Sequence, residues 1–111
     1  MGSSIELDRS TTISIATAST TYSLPFTLAR QFSSIDHISN GRAGWNIVTT
    51  WLQSAARNYG DTRDVSLDDR YVFAEEFVEI VKGLWDSWAD DAVVDDREGA
   101  VYARPDRIRA I

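Results

Sequence analysis

Cysteine is absent from this chain, histidine occurs once, and acidic residues outnumber basic ones. Without cysteine there is neither a disulfide framework nor a thiolate nucleophile, and the single histidine, His37, cannot form a multi-histidine metal site. The formal net charge of −6 argues against nucleic acid and against an anionic membrane as a partner. With 43% hydrophobic residues, the chain still has enough apolar side chains to form a core.

Long hydrophobic runs are also absent. No apolar stretch approaches the roughly 18 residues that are needed to span a bilayer, and the N-terminus lacks the basic region and apolar run of a secretory signal. We therefore expect a cytoplasmic location. We also expect a polar N-terminal lead over residues 1–10, followed by a single folded segment over residues 11–111.

The first half of that segment has the pattern of a strand, a helix and a second strand. Residues 11–18 combine Thr and Ile in a run typical of a strand that is buried on both faces. A helix is predicted to begin near Ser23, its candidate cap, and to end at Asn40-Gly41, because apolar residues recur there every three or four positions. Residues 43–50 are predicted to form the second strand, which completes a βαβ unit.

The second half predicts a loop, a long helix and a short excursion. Residues 51–65 are polar and are expected to form a surface loop, while Ser66-x-x-Asp69 marks the start of a helix that runs to about Trp88 or Ala89. Its broad apolar stripe, from Tyr71 to Trp88, predicts burial against a sheet and a neighbouring helix. Beyond it, residues 92–94 and 100–102 could pair as a hairpin.

The predicted fold class is therefore α/β, a fragment of a TIM (β/α)₈ barrel. It contains about two βα units, in the order strand-helix-strand-loop-helix, plus a short C-terminal excursion. A complete barrel of this type needs about 250 residues, whereas the chain has 111. The barrel cannot close within this sequence, so we expect exposed strand edges and self-association.

Several stretches also carry a family resemblance: residues 17–22, 28–30, 36–46, 56–60, 70–71, 75–79 and 82–88. They closely resemble flavin-dependent monooxygenases of the bacterial-luciferase-like superfamily, in the group of nitrilotriacetate and dibenzothiophene-sulfone monooxygenases. The similarity covers roughly residues 13–109. It implies an oxidoreductase that uses FMN, with reduced flavin from a partner flavin reductase, molecular oxygen as co-substrate and a small organic molecule as substrate. We expect the short chain to be inactive alone.

Two other functions stay open at this point. Some members of the superfamily use a deazaflavin and do not activate oxygen, so a deazaflavin-dependent oxidoreductase is one alternative. The other is a non-catalytic acidic module whose Trp-bearing helix binds a partner protein.

Three residues are candidates for cofactor binding. Thr17 lies near the carboxyl end of the first predicted strand, where barrels place their sites, and it matches a flavin-contacting hydroxyl of the family. Asn46 occupies the equivalent place on the second strand, and Tyr71 matches a family position that contacts the cofactor. Each also has a purely structural interpretation: Thr17 as a common strand residue, Asn46 as a strand-end amide, and Tyr71 as part of the apolar stripe.

The family pattern is broken beside Tyr71. Relatives carry a histidine four residues earlier, where this chain has Leu67, whose side chain can neither donate nor accept a hydrogen bond. No catalytic residue or metal ligand is assigned. His37 suits a helix end, and the acidic pairs Asp68-Asp69 and Asp90-Asp91 are interpreted as structural.

Overall fold

A computed structural model describes residues 12–50, 52–60 and 66–111, so the polar lead predicted over residues 1–10 lies outside the described residues. The elements, in chain order, are β1 (Ser14–Ser19), α1 (Pro25–Ser39), β2 (Ala43–Val48), α2 (Gln53–Asn58), α3 (Leu67–Asp86), β3 (Val93–Asp96), β4 (Val101–Ala103) and a 3₁₀ turn (Pro105–Arg107). No helix in the described part of the chain is long and apolar enough to cross a membrane.

β1, α1 and β2 form the predicted βαβ unit. The strands pair in parallel, from Ser14 opposite Ala43 to Ser19 opposite Val48. Pro25 stands in the first turn of α1, where its missing N–H leaves no hydrogen bond unmade. The helix ends as predicted, because Asn40 adopts a left-handed conformation with φ of 56°. The Ser23 cap is wrong: Leu24 takes the cap position, and no side chain caps the helix there.

The core lies between the two long helices and one face of the sheet. Leu28, Ala29 and Phe32 of α1 pack with Phe77 and Val81 of α3. The Trp45 ring of β2 lies between two of these side chains, with centroids 5.9 Å from Phe32 and 5.9 Å from Phe77. This cluster fixes α1 and α3 against the sheet.

Outside this cluster, much of the predicted apolar burial is missing. β1 is not buried on both faces, since its first four residues are exposed. On α3 only Ala74, Phe77 and Val81 are buried. Trp85 keeps 38% of its surface exposed, and Trp88, just beyond the end of the helix, keeps 44%. The physical reason is that, among the described residues, the core packs against one face of a two-stranded sheet, so no second layer covers the other face.

The dimensions agree with an open layer. The radius of gyration is 18.6 Å and the smallest extent is 22 Å, whereas a compact domain of this length has a radius of gyration of about 13 Å. The expectation of an open barrel segment is confirmed.

The remaining elements include one that was not predicted. The helix α2 occupies residues 53–58 of the stretch expected to be loop, while residues 51 and 61–65 lie outside the described part. α3 begins as predicted, because the amide N–H of Asp69 donates to Ser66 Oγ over 3.1 Å, but it ends at Asp86, before Trp88. The predicted hairpin is present as antiparallel β3 and β4.

Candidate functional site

The two faces of the β1–β2 sheet have different surroundings. Side chains alternate between faces along a strand, and Ala18 and Trp45 on one face pack against the helical core. Thr17 and Asn46 therefore point to the opposite face, which the helices do not cover. Ile15 lies on that open face with 69% of its surface exposed.

Thr17 and Asn46 stand directly opposite each other on the open face. Asn46 Nδ2 donates a hydrogen bond to Thr17 Oγ1 over 3.1 Å, and both residues are exposed. The bond leaves the Thr17 hydroxyl proton, the Asn46 amide oxygen and one Asn46 N–H available to a ligand. The structure thus brings together two of the three residues that the sequence suggested.

Beyond this pair, the carboxyl ends of the strands carry a cluster of hydroxyl groups. Thr50 Oγ1 donates to Ser19 Oγ over 2.6 Å, and Thr21 Oγ1 donates to the carbonyl oxygen of Thr49 over 2.6 Å. The backbone continues the pairing, since the Thr20 N–H donates to the carbonyl of Val48 over 2.9 Å. These bonds tie the connection that follows β1 to the end of β2.

Arg70 of α3 contacts the same cluster, although the sequence predicted no role for it. Arg70 Nη1 donates to the carbonyl oxygen of Thr50 over 2.6 Å. Arg70 Nε is buried without a hydrogen-bond partner. An arginine in the first turn of a helix is ordinary in a sequence, so its approach to a residue 20 positions earlier had no local signal.

Tyr71 does not join the pair on the strands. Its side chain is 57% exposed, as is that of Leu67 one turn earlier. No hydrogen bond joins Tyr71 to Thr17 or Asn46. The structural interpretation of Tyr71 as part of a buried stripe is therefore wrong, and its contact with flavin stays a prediction.

A second feature missed from sequence is a pair of stacked tyrosines. The rings of Tyr22 and Tyr59 lie 4.6 Å apart and within 3° of parallel. Tyr22 belongs to the connection after β1, and Tyr59 follows α2. The pair therefore joins the two connections that leave the carboxyl ends of the strands.

The charged groups set aside in the sequence analysis lie away from these strand ends. His37 is in the last turn of α1, which leads into the amino end of β2. Asp91 accepts a hydrogen bond from Arg107 Nε over 2.8 Å, and this bond lowers the pKa of the Asp91 carboxyl below its usual value. Within the described residues, no group of three or more His, Cys, Asp or Glu side chains could hold a metal ion.

The arrangement suits binding by neutral hydrogen bonds. The open face presents a hydroxyl and an amide at mid-strand and further hydroxyls at the carboxyl ends, which is where barrels of parallel strands place their ligands. These features define the class of the chain: an α/β segment with two parallel strands, of the kind that forms barrels, whose strands carry polar groups at their carboxyl ends.

Comparison with known proteins agrees with this class. A family model described as luciferase-like monooxygenase matches residues 5–110, and the chain belongs to this family. It is 60% identical over 83 residues to N-acetyl-S-(2-succino)cysteine monooxygenase of Bacillus subtilis (strain 168), covering 75% of this chain and 19% of the relative. It is 46% identical to nitrilotriacetate monooxygenase component A of Aminobacter aminovorans, covering 87% and 21%.

Solved structures give the same answer for the fold. A long-chain alkane monooxygenase matches with a TM-score of 0.77 and 41% identity, over 85% of this chain and 22% of the other. A riboflavin lyase solved with modified FMN and riboflavin matches with a TM-score of 0.78 and 39% identity, over 87% and 22%. The chain thus spans about a fifth of the length of these relatives. Both curated relatives are monooxygenases by name, and neither the deazaflavin alternative nor the interaction module gains support.

Proposed function

We propose that this chain supplies one segment of the flavin site of an FMN-dependent monooxygenase. The observation that carries the proposal is the hydrogen-bonded pair of Thr17 and Asn46 on the uncovered face of two parallel strands. Membership of the luciferase-like monooxygenase family supports the choice of cofactor. The similarity to a structure that holds modified FMN supports it further.

The residues present fit a flavin. The edge of its ring system carries carbonyl oxygens and an N–H group, which pair with hydroxyl and amide groups. Thr17 can donate its hydroxyl proton, while Asn46 can donate one N–H and accept at its amide oxygen. The buried and unpartnered Nε of Arg70 adds a positive group near the same strand ends.

When bound, reduced flavin supplies the electrons that activate molecular oxygen for insertion into a substrate, and such chemistry belongs to the cofactor. In the proposal, Thr17 and Asn46 orient the ring edge by hydrogen bonds. The uncovered Ile15 beside them offers an apolar surface for the ring. Tyr71 is a third proposed contact, made with its exposed hydroxyl, while Leu67 contributes no polar contact.

A flavin reductase is the proposed partner and a small organic molecule the proposed substrate. The name "component A" of the nitrilotriacetate enzyme supports a division of labour between two proteins. The names of other relatives include a dibenzothiophene-sulfone monooxygenase and a dimethyl-sulfide monooxygenase. Their variety supports small organic molecules as the class of substrate and favours no single one.

The chain by itself is proposed to bind FMN weakly and not to turn over. Barrels usually hold a phosphate group with loops after strands seven and eight and a short helix, and two parallel strands cannot supply these. The open face also leaves the ring accessible to water on the side away from the sheet. Weak binding therefore follows from the same geometry that supports the site.

The test is a titration of oxidised FMN into the purified chain, followed by flavin fluorescence. Thr17→Val and Asn46→Leu should each weaken binding several-fold, and Thr27→Val, at an exposed position on α1, serves as the matched control. Equal affinities for all four proteins would overturn the assignment of the pair. A dissociation constant at or below the micromolar range, or oxygenation of a substrate when a reductase is added, would contradict the proposed dependence on a larger barrel.

A further inference from the structure

Thr50 has an unusual backbone conformation at the end of β2. Its φ angle is 55°, in the left-handed region. A β-branched residue rarely adopts this region because its side chain crowds its own backbone. Such conformations persist only where the surrounding structure fixes them, and they are concentrated at functional sites.

Two short hydrogen bonds hold Thr50 in place. Arg70 Nη1 donates to its carbonyl oxygen over 2.6 Å, and its own hydroxyl donates to Ser19 Oγ over 2.6 Å. The first bond has a charged donor, which makes it stronger than a bond between neutral groups. Because Arg70 lies 20 residues after Thr50, this bond also joins the end of β2 directly to the first turn of α3.

The effect reaches the end of β1. Ser19 Oγ accepts the bond from Thr50 and a second bond from the Thr21 amide over 3.2 Å. Arg70, Thr50 and Ser19 therefore form a relay from the first turn of α3 to the carboxyl ends of both strands. Ser19 is two residues beyond Thr17 on the same open face, so the relay fixes the strand end adjacent to the Thr17 and Asn46 pair.

Arg70 is not an optimal group for stability alone. Its Nε is buried without a partner, and a buried charged donor without a hydrogen bond is costly. A buried unpaired donor of this kind needs an explanation other than stability, and the same guanidinium holds the carbonyl of Thr50, whose backbone is strained.

We propose that Arg70 is a positioning residue of the flavin site. It acts through Thr50 and Ser19 and sets the geometry of the strand ends on which the cofactor rests. The inference deepens the proposed function and rests on it for the identity of the ligand. The competing role is general stabilisation of the fold.

The experiment uses the whole chain with three substitutions. Arg70→Met removes the donors at similar length, Arg70→Lys keeps one charged donor, and Arg57→Met removes an exposed arginine on α2 as the matched control. Amide hydrogen exchange and FMN titration are measured on each protein, together with thermal melting.

We expect Arg70→Met to speed exchange about tenfold at residues 19–21 and 48–50, in keeping with the loss of a charged hydrogen bond. Exchange in the helical core should change little. FMN affinity should fall about fivefold in Arg70→Met, and Arg70→Lys should recover most of it because it restores a charged donor. The control should match the wild type in all three measurements.

Two results would overturn the inference. One is unchanged exchange at the strand ends in Arg70→Met. The other is a uniform rise in exchange with a lower melting temperature and no recovery in Arg70→Lys, which would assign Arg70 to fold stability. If the wild-type chain bound no FMN, the proposed function would fail, while the pattern of exchange and its recovery by lysine would still decide the role of Arg70.

Discussion

The two faces of the β1–β2 sheet differ in what covers them. On one face, Trp45 packs between Phe32 and Phe77, and the helices exclude water. On the other face, Ile15 and the Thr17–Asn46 pair lie uncovered. The core that stabilises this segment lies under the helices on one face, whereas the candidate ligand-binding pair lies on the face that the helices leave uncovered.

The largest expected effect concerns the uncovered side. Exposed strand edges and apolar residues favour pairing with other chains, so we expect the isolated chain to self-associate. Ile15→Lys should reduce the association by placing a charge on the open face beside the pair. Sedimentation velocity compares the two proteins, and a wild-type chain that sediments as a compact monomer would contradict the predicted self-association.

The next effect concerns the covered side. Phe77 is 6% exposed and contacts the Trp45 ring, so Phe77→Ala should lower the free energy of unfolding by about 3–5 kcal/mol. Glu79→Ala, at an exposed position on the same helix, should change it by less than about 0.5 kcal/mol. Urea unfolding monitored by tryptophan fluorescence gives both values, and similar small losses would show that α3 has no core face.

Trp85 sharpens the boundary between covered and uncovered residues. The sequence places it in the stripe that is predicted to be buried, but it is 38% exposed and donates from Nε1 to the Ala29 carbonyl over 3.0 Å. Trp85→Ala should therefore cost about 1–3 kcal/mol, less than a fully buried aromatic residue. Trp85→Phe, which loses only the hydrogen bond and some area, should cost about 1 kcal/mol. The same unfolding experiment compares them, and a loss for Trp85→Ala equal to that of Phe77→Ala would mean that this side chain is buried in solution.

Two glycines provide a smaller contrast with opposite signs. Gly83 lies inside α3, where a β-carbon would make ordinary contacts of 3.6 Å with Ile111, so Gly83→Ala should stabilise by up to about 1 kcal/mol. A β-carbon at Gly44 would lie 3.2 Å from Ile15 Cγ1. Because Ile15 is exposed and can shift, Gly44→Ala should lower the free energy of unfolding only a little. The loss should be smaller than that of overpacking a core, which is about 1–3 kcal/mol. Thermal melting of both variants tests the signs, and a large loss at Gly44 would indicate that the open face is covered in solution.

Much of this organisation was predictable because it rests on local signals. The end of α1 at Asn40-Gly41, the start of α3 at Ser66 and the parallel pairing of the strands follow from capping residues and periodicity. The placement of Thr17 and Asn46 side by side follows from their equivalent positions on two neighbouring parallel strands, together with the family resemblance. The helix ends are set by residues that are neighbours in sequence, whereas the pairing of the two strands follows from the strand-helix-strand pattern.

What could not be predicted depends on distant contacts or on missing cover. The bond from Arg70 to Thr50 and the stack of Tyr22 on Tyr59 join residues far apart in the chain. α2 has only six residues, too few to show a helical period. The apolar stripe correctly predicted a helix, but its exposure at Tyr71 depends on which surfaces are available to cover it.

The smallest effect is predicted for an exposed ion pair that flanks the C-terminal hairpin. Asp91 and Arg107 form an ion pair of 2.8 Å at the surface, and the bond lowers the pKa of Asp91. A carboxyl group whose pKa is lower in the folded state than in the unfolded state stabilises the fold above its unfolded pKa, and this contribution is lost as the pH falls through the folded value. The stabilising contribution of Asp91 should therefore be lost as the pH falls below the ordinary aspartate pKa of 3.8. Melting temperatures of wild type and Asp91→Asn should differ only slightly at neutral pH, because exposed pairs are screened by water and salt. They should converge in acid, because protonated Asp91 no longer pairs with Arg107. A difference as large as that of Phe77→Ala, or one that grows on acidification, would show that Asp91 does more than form an exposed ion pair.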